Sequence, residues 1–330
     1  MRTLLCGITM LALSSFHSTL ADDTSRTLAK SNDAVPSIAE ARKVLDLSQI
    51  PLAPGAEKAP RRPIFSLSYD CTTGTKESYK FHQNQFTSTG WTELPGSSVE
   101  DALASGTFQK NGYSLSMMVM PAGGKSLVSI IPHGNVPLAK LPSLPGSKVL
   151  SDTPAQIMLI MQENSAVLAS KITQDLINRG WKPYGEAGPT RLFAQGSTLL
   201  NVMISDAPGQ AGKSMVMYST VLRSADLPVT DDATSIQYSD ALTQVSWQSS
   251  SDPKEVIART KTLMEAQGWK STTMEPLYID YKWTMFFRTD PKTLRKLEVR
   301  DLKPGSRALL KEYLLEEIPD QPATAAPGNP

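Results

Sequence analysis

Phe86-Thr87-Ser88-Thr89-Gly90-Trp91, Leu176-Ile177-Asn178-Arg179-Gly180-Trp181 and Met264-Glu265-Ala266-Gln267-Gly268-Trp269 are three versions of one ending. In each, a large apolar residue is followed four positions later by Gly and then by Trp. Glycine just past a helix takes the left-handed conformation, and the residue after it packs back on the apolar side chain of the last full turn. The spacing predicts three helices, each ended by glycine and covered by an indole. The pairs lie 90 and 88 residues apart, so Gly90, Trp91, Gly180, Trp181, Gly268 and Trp269 are the structural keystones of a module used three times. A buried Trp hides ~200 Å², enough to tie helix to sheet. A sugar-stacking role for these indoles is set aside, because the apolar residue beneath each one calls for a packed ring.

Working outward, a hydrophobic-Pro marker opens each unit: Ile50-Pro51, Leu141-Pro142 and Leu227-Pro228, with Trp following the Pro by 40, 39 and 41 residues. Strand-like runs come next at 64–69, 155–161 and 242–247, then a helical stretch of about 15 residues by its apolar period. Asp252, Pro253 and Glu255 are start signals for the third helix. Beyond each Trp lie three more strand-like runs: 106–110, 113–120 and 127–132; 190–195, 198–205 and 214–221; 281–288, 294–302 and 307–313. The expected fold class is α+β, three tandem β-α-β-β-β-β units, each an antiparallel sheet packed on one helix. That order resembles the cystatin-like roll as topology only. The units span about 43–136, 137–224 and 225–318. Residues 22–42 read as a flexible leader, with 41–50 a short helix or an extended arm. Residues 51–63 read as a Pro-rich linker, and 319–330 as a disordered tail. The run 308–318 fits a helix or a closing strand, and only the repeat favours strand at its start.

Residues 1–21 read as a secretory signal: Arg2, a mostly apolar run from Leu4 to Phe16, and Thr19-Leu20-Ala21 before a cleavage expected after Ala21. The apolar run falls short of the ~20 residues of a membrane-spanning helix, and no later segment approaches that length. The expectation is a periplasmic or secreted chain with no transmembrane segment after cleavage. Net charge is +1 with signs mixed, which gives no footprint for nucleic acid. Cys71 is left alone once the signal is removed and reads as a small buried side chain, since one thiol closes no internal disulfide.

Several motifs invite chemistry. Ala207-Pro-Gly-Gln-Ala-Gly-Lys213-Ser214 satisfies a loose phosphate-loop pattern, but a strand-like run follows where a helix is required. Gly123-Gly124-Lys125-Ser126 recurs at the same place in the first unit, so both read as hairpin loops. Met117, Met118, Met120, Met158, Met161, Met203, Met215 and Met217 supply thioethers suited to Cu(I); in predicted strands they read first as core filler. His82 falls on a polar helix and His133 before a turn. Arg61-Arg62, Asp231-Asp232 and Glu316-Glu317 read as solvated charges. No catalytic, cofactor-binding or metal-ligating residue is nominated.

The segments Ala41-Arg-Lys-Val-Leu-Asp-Leu47, Gly134-Asn135-Val136, Arg179-Gly-Trp-Lys-Pro-Tyr184 and Ala225-Asp-Leu-Pro228 make the chain resemble a family of exported bacterial proteins built from Gly-Trp-containing β-α-β repeats. The resemblance covers about 280 residues and implies export and three units, but no activity, cofactor or site. The leading expectation is a non-enzymatic binding or structural module of the cell envelope or periplasm. Its partner would be a protein, a polymer or a lipid-linked molecule. Two alternatives stand: an enzyme with a site between units drawing on His133, Lys213 or nearby carboxylates, and a Met-rich copper-binding protein.

Overall fold

Ser37 and Glu40 start the first helix of a computed structural model that describes residues 35–57 and 62–314. In α1 (Ile38–Val44) the Ser37 hydroxyl accepts the N–H of Glu40, and the Glu40 carboxylate accepts the N–H of Ser37 at 2.8 Å. This is the reciprocal capping box. It holds Ala41 fully buried against the first core. The expected flexible leader is therefore corrected for residues 35–42, which α1 and the bond from the Ser197 N–H to the Pro36 carbonyl (2.7 Å) tie down. Arg62 is corrected too: its guanidinium donates to the carbonyls of Leu47 (3.0 Å) and Ile50. The expected signal (1–21), the leader up to residue 34, Arg61, Glu316-Glu317 and the tail (319–330) lie outside the described residues.

Three helices of 14 residues each follow: α2 (Thr75–Ser88), α3 (Ser165–Asn178) and α4 (Pro253–Ala266). Asn164 caps α3 through the Val167 N–H, and Asp252 caps α4 through the N–H groups of Lys254 and Glu255. All three end alike. Gly90, Gly180 and Gly268 stand at φ 86°, 85° and 84°. The Trp N–H reaches back to the carbonyl of Phe86, Leu176 or Met264 at 3.0 Å each time. The Gly N–H bonds Thr87, Ile177 or Glu265. That pair of bonds is the Schellman motif. Trp91 and Trp181 are 4% exposed and Trp269 is 8%. In the first unit the Phe86 and Trp91 rings meet edge-on, centroids 6.0 Å apart.

The molecule is mixed α and β, mostly sheet, with three antiparallel sheets that make roughly three units. The first holds β1 (Leu67–Cys71), β2 (Thr92–Glu93), β3 (Ser98–Val99), β4 (Ala104–Lys110), β5 (Tyr113–Ala122) and β6 (Lys125–Gly134), in the order β1-β6-β5-β4-β2, with β3 also on β4. The second holds β7 (Lys148–Asp152), β8 (Gln156–Met161), β9 (Lys182–Ala187), β10 (Thr190–Gln195), β11 (Thr198–Asp206) and β12 (Ser214–Leu222), in the order β7-β8-β12-β11-β10-β9. The third holds β13 (Thr234–Ser239), β14 (Gln244–Ser249), β15 (Lys270–Ser271), β16 (Leu277–Ile279), β17 (Lys282–Asp290), β18 (Thr293–Asp301) and β19 (Ser306–Leu314). Its order is β13-β14-β19-β18-β17-β15, with β16 also on β17.

Five strands per unit is thus too few: the sheets have six, six and seven. β7 and β13 add an edge before the expected first strand, where the first unit has a single bridge from Ala56 to Cys71. The strand after Trp is broken in two in the first and third units. The ambiguous run after residue 308 is strand as far as Leu314, registered between β14 and β18.

Burial follows the two-residue period. Along β12 Ser214, Val216, Tyr218, Thr220 and Leu222 are buried, and the residues between them are half-buried. Each sheet closes one face on its helix, giving three apolar clusters. The clusters interlock at the junctions. Leu222 of β12 belongs to the first cluster, and Tyr184, Leu192 and Leu199 of the second sheet belong to the third.

Candidate functional site

The residues that drew attention in the sequence are mostly absorbed by packing. Ala207–Ser214 closes the β11–β12 hairpin, with the Ala207 N–H on the Lys213 carbonyl at 2.9 Å, and no helix follows. His133 lies within β6, at the junction with the second unit, and not in a turn. Its Nε2 sits 2.8 Å from Ser116 Oγ, and its Nδ1 donates to the Thr220 carbonyl at 3.0 Å. Lys213, just before β12, lies seven residues from Thr220, roughly 23 Å at the extended rise, so His133 and Lys213 do not meet.

His82, on the buried face of α2, holds Tyr69 Oη at 2.6 Å and Gln85 Oε1 at 3.0 Å. Burial pushes its pKa down to about 4 and pushes Tyr69 up to about 12. Cys71 is fully buried, its Sγ 3.2 Å from Ser78 Oγ. Asp231 is exposed as expected, but Asp232 is not a solvated flanking charge. Burial alone would raise its pKa; bonds from Ser249, Thr230 and Ser251 and the Arg259 charge outweigh that and hold it at about 2.

Core filling accounts for Met117 and Met161 alone among the eight strand methionines; the other six are half-buried. The expectation of a core role is corrected for Met118, Met120, Met158, Met203, Met215 and Met217.

The three Gly-Trp helices differ most tellingly at one pair of positions. Eleven and seven residues before the glycine stand Tyr79 and Gln83, Ala169 and Thr173, and Ile257 and Lys261. In the first unit these positions close on Glu93, whose carboxylate accepts from the Tyr79 hydroxyl and from Gln83 Nε2. Burial would raise the Glu93 pKa, but its bonds from Ser97, Tyr79 and Gln83 prevail and lower it. The second unit places Arg191 there, donating to the Ala169 carbonyl (3.0 Å) and Thr173 Oγ1 (2.8 Å), and leaves a hollow of about 220 Å³.

In the third unit the same place is a cavity of about 430 Å³ between α4 and the strap 272–276, lined by Ile257, Ala258, Pro276, Trp283 and Met285, with Lys254 and Lys261 at its rim. A second cavity of about 550 Å³ shares Lys261 and Met274 with it and runs toward Trp269. A third, about 470 Å³, shares Lys254 and Trp283 and runs toward Asp252, Tyr278, Tyr281 and Asp301. Together they form one track beside α4, a 14-residue helix that is ~21 Å long.

The hairpin beside this track is built against its own stability. β16 turns into β17 through Asp280 and Tyr281, at φ 49° and 60°. Two positive φ values in a two-residue loop mark a type I′ turn, where Asn-Gly or Asp-Gly is favoured. Tyr281 is 87% exposed, so packing does not offset a left-handed conformation that costs about 1–2 kcal/mol outside glycine. Tyr278 is 60% exposed and Met274 95%. Tyr278 and Trp283 are opposed across the hairpin, their rings tilted at 59° with centroids 5.0 Å apart. Large apolar groups clustered in the open mark recognition surfaces.

This site was not among the sequence expectations, which began a strand at Tyr281 and missed the hairpin. The available signal was three aromatic residues within six positions, Tyr278, Tyr281 and Trp283. Among the described residues no three His, Cys, Asp or Glu side chains group as metal ligands, and no helix is long and apolar enough to cross a membrane. Comparison with known proteins returns no matching family model, no matching curated protein and no matching solved structure.

Proposed function

We propose that this chain is an exported, non-enzymatic binding module whose third unit holds a glycan strand of the cell envelope along α4. One observation carries the reading: the place filled by Glu93 in the first unit and Arg191 in the second is an open track in the third, beside exposed aromatic rings. Sugar rings offer apolar faces and hydroxyl edges. Tyr278, Tyr281 and Trp283 supply aromatic surface for the faces, while Asp252, Lys254 and Asp301 in the same cavity supply partners for the hydroxyls. A peptide added to the sheet edge is less well served, because β16 has only three residues.

Residues 1–21 support export by their signal-like pattern, as does the resemblance to exported Gly-Trp repeat proteins. The three units are variants of one β-α-β-β-β-β module, like a cystatin roll in strand order, with added edge strands; the shared Gly-Trp ending supports that descent. Specialising one copy while two remain plugged is a simple route to a single site.

Two measurements test this. Chitotetraose, titrated into the purified chain by calorimetry, is expected to bind, and Trp283→Ala to weaken binding tenfold or more. Undiminished affinity in Trp283→Ala, or no binding of chitotetraose and of solubilised envelope glycan alike, overturns the glycan reading. Export is read separately, by N-terminal sequencing of the protein recovered from its native host; an intact Met1 contradicts it.

A further inference from the structure

The outer face of the second sheet carries methionines that core packing does not explain. Met217 of β12 is registered opposite Met158 of β8 on one side and Met203 of β11 on the other. All three are half-buried, on the face that points away from α3, while their neighbours Val216, Tyr218, Ile157 and Val202 fill the core. Neighbouring strands lie ~4.8 Å apart, and directly opposed side chains start ~5 Å apart at Cβ. A methionine has three rotatable bonds to spend. The outer two thioethers therefore reach over the central one without moving the backbone.

What surrounds the row narrows its chemistry. Ser151 follows beyond Met158 and Thr190 beyond Met203. The flanking rows are Gln156, Ser219 and Asn201 on one side and Ile160, Met215 and Ser205 on the other. Lys148 stands beyond Ile160 in one flanking row, and no carboxylate, imidazole or thiol lies in the row or in the two rows beside it. Calcium and magnesium need charged oxygen donors, and zinc takes thiolate, imidazole or carboxylate. Neutral thioethers select soft Cu(I).

We infer that Met158, Met203 and Met217 form a three-thioether site for one Cu(I) ion. The ion enters and leaves as Cu(I), with no change in oxidation state and no covalent step in the protein. The site is independent of the α4 track, on a different unit, so each stands or falls alone.

The test is an anaerobic titration of the purified chain with Cu(I) against bicinchoninate, paired with Ag(I) titration followed through methionine methyl NMR signals. One equivalent is expected to bind. The methyl signals of Met158, Met203 and Met217 should shift together while those of Met118 and Met120, on the first sheet, stay put. Met217→Leu, which conserves volume and leaves the sheet intact, should weaken binding at least tenfold, and Met118→Leu less than twofold. The proposal is overturned by affinity no better than that of free methionine. It is equally overturned by Met217→Leu binding like the parent, or by shifts spread evenly over all methionines.

Discussion

At the residue scale the glycine and the indole of each ending can be separated by substitution. A Cβ added at Gly268 would meet nothing within 4 Å, so Gly268→Ala isolates the left-handed backbone at φ 84°. Its expected loss is about 1 kcal/mol. Trp269→Ala opens the core over Met264 and removes the ring 3.9 Å beneath the Arg295 guanidinium, so a loss of about 3–5 kcal/mol is expected. Urea denaturation midpoints of the two variants should rank in that order, and equal midpoints would contradict it. His82 gives a pH signature. Folding lowers its pKa from 6.5 to about 4, so the unfolded chain binds the extra proton in that window. Stability is complete above the unfolded value and falls as pH drops toward 4, by on the order of 3 kcal/mol. His133, also lowered by burial, adds in the same direction. In denaturation series between about pH 7 and about pH 4.5, His82→Gln should flatten this slope; an unchanged slope would exclude His82 as its source.

At the element scale, legibility followed the strength of local signals. The helix endings were readable because glycine, indole and the apolar residue beneath them belong to one short motif with one geometry. The strands β5, β6, β11 and β12 were readable from alternation. β7 was not, since Val149 and Leu150 are exposed and a bulge between Val149 and Ser151 breaks its period. β16 was hidden for another reason: its turn has Asp280-Tyr281 where the usual signal is Asp-Gly. That substitution is itself a prediction. Tyr281→Gly should hold stability or raise it by about 1 kcal/mol, because glycine accepts the positive φ freely. It should also weaken chitotetraose binding severalfold. A clear loss of stability in thermal melts would show that Tyr281 serves the fold and not the surface.

At the scale of the whole molecule, the way the units meet was not legible in the chain. Periodicity tells which face of a strand is buried and not what covers it. His133 reads from the sequence only as a residue before a turn, yet it bonds Thr220 across the first junction. Gly185, at φ 138°, lets β9 approach β13 so closely that an added Cβ would stand 1.9 Å from Ile236 Cδ1. Gly185→Ala is expected to cost about 1–3 kcal/mol through overpacking, and hydrogen exchange should rise in β9 and β13 but not in β5. Uniform exchange would mean that the junction is not the element disturbed. The open track beside α4 was hidden for the same reason, since it depends on what Glu93 and Arg191 fill elsewhere.

The most direct test of the central claim is backbone amide NMR of the labelled chain during titration with chitotetraose. Shifts are expected in α4, residues 270–283 and the β18 end near Asp301, and not on the matching faces of α2 and α3. Shifts centred on the first or second unit, or a map unchanged by Trp283→Ala, would contradict it.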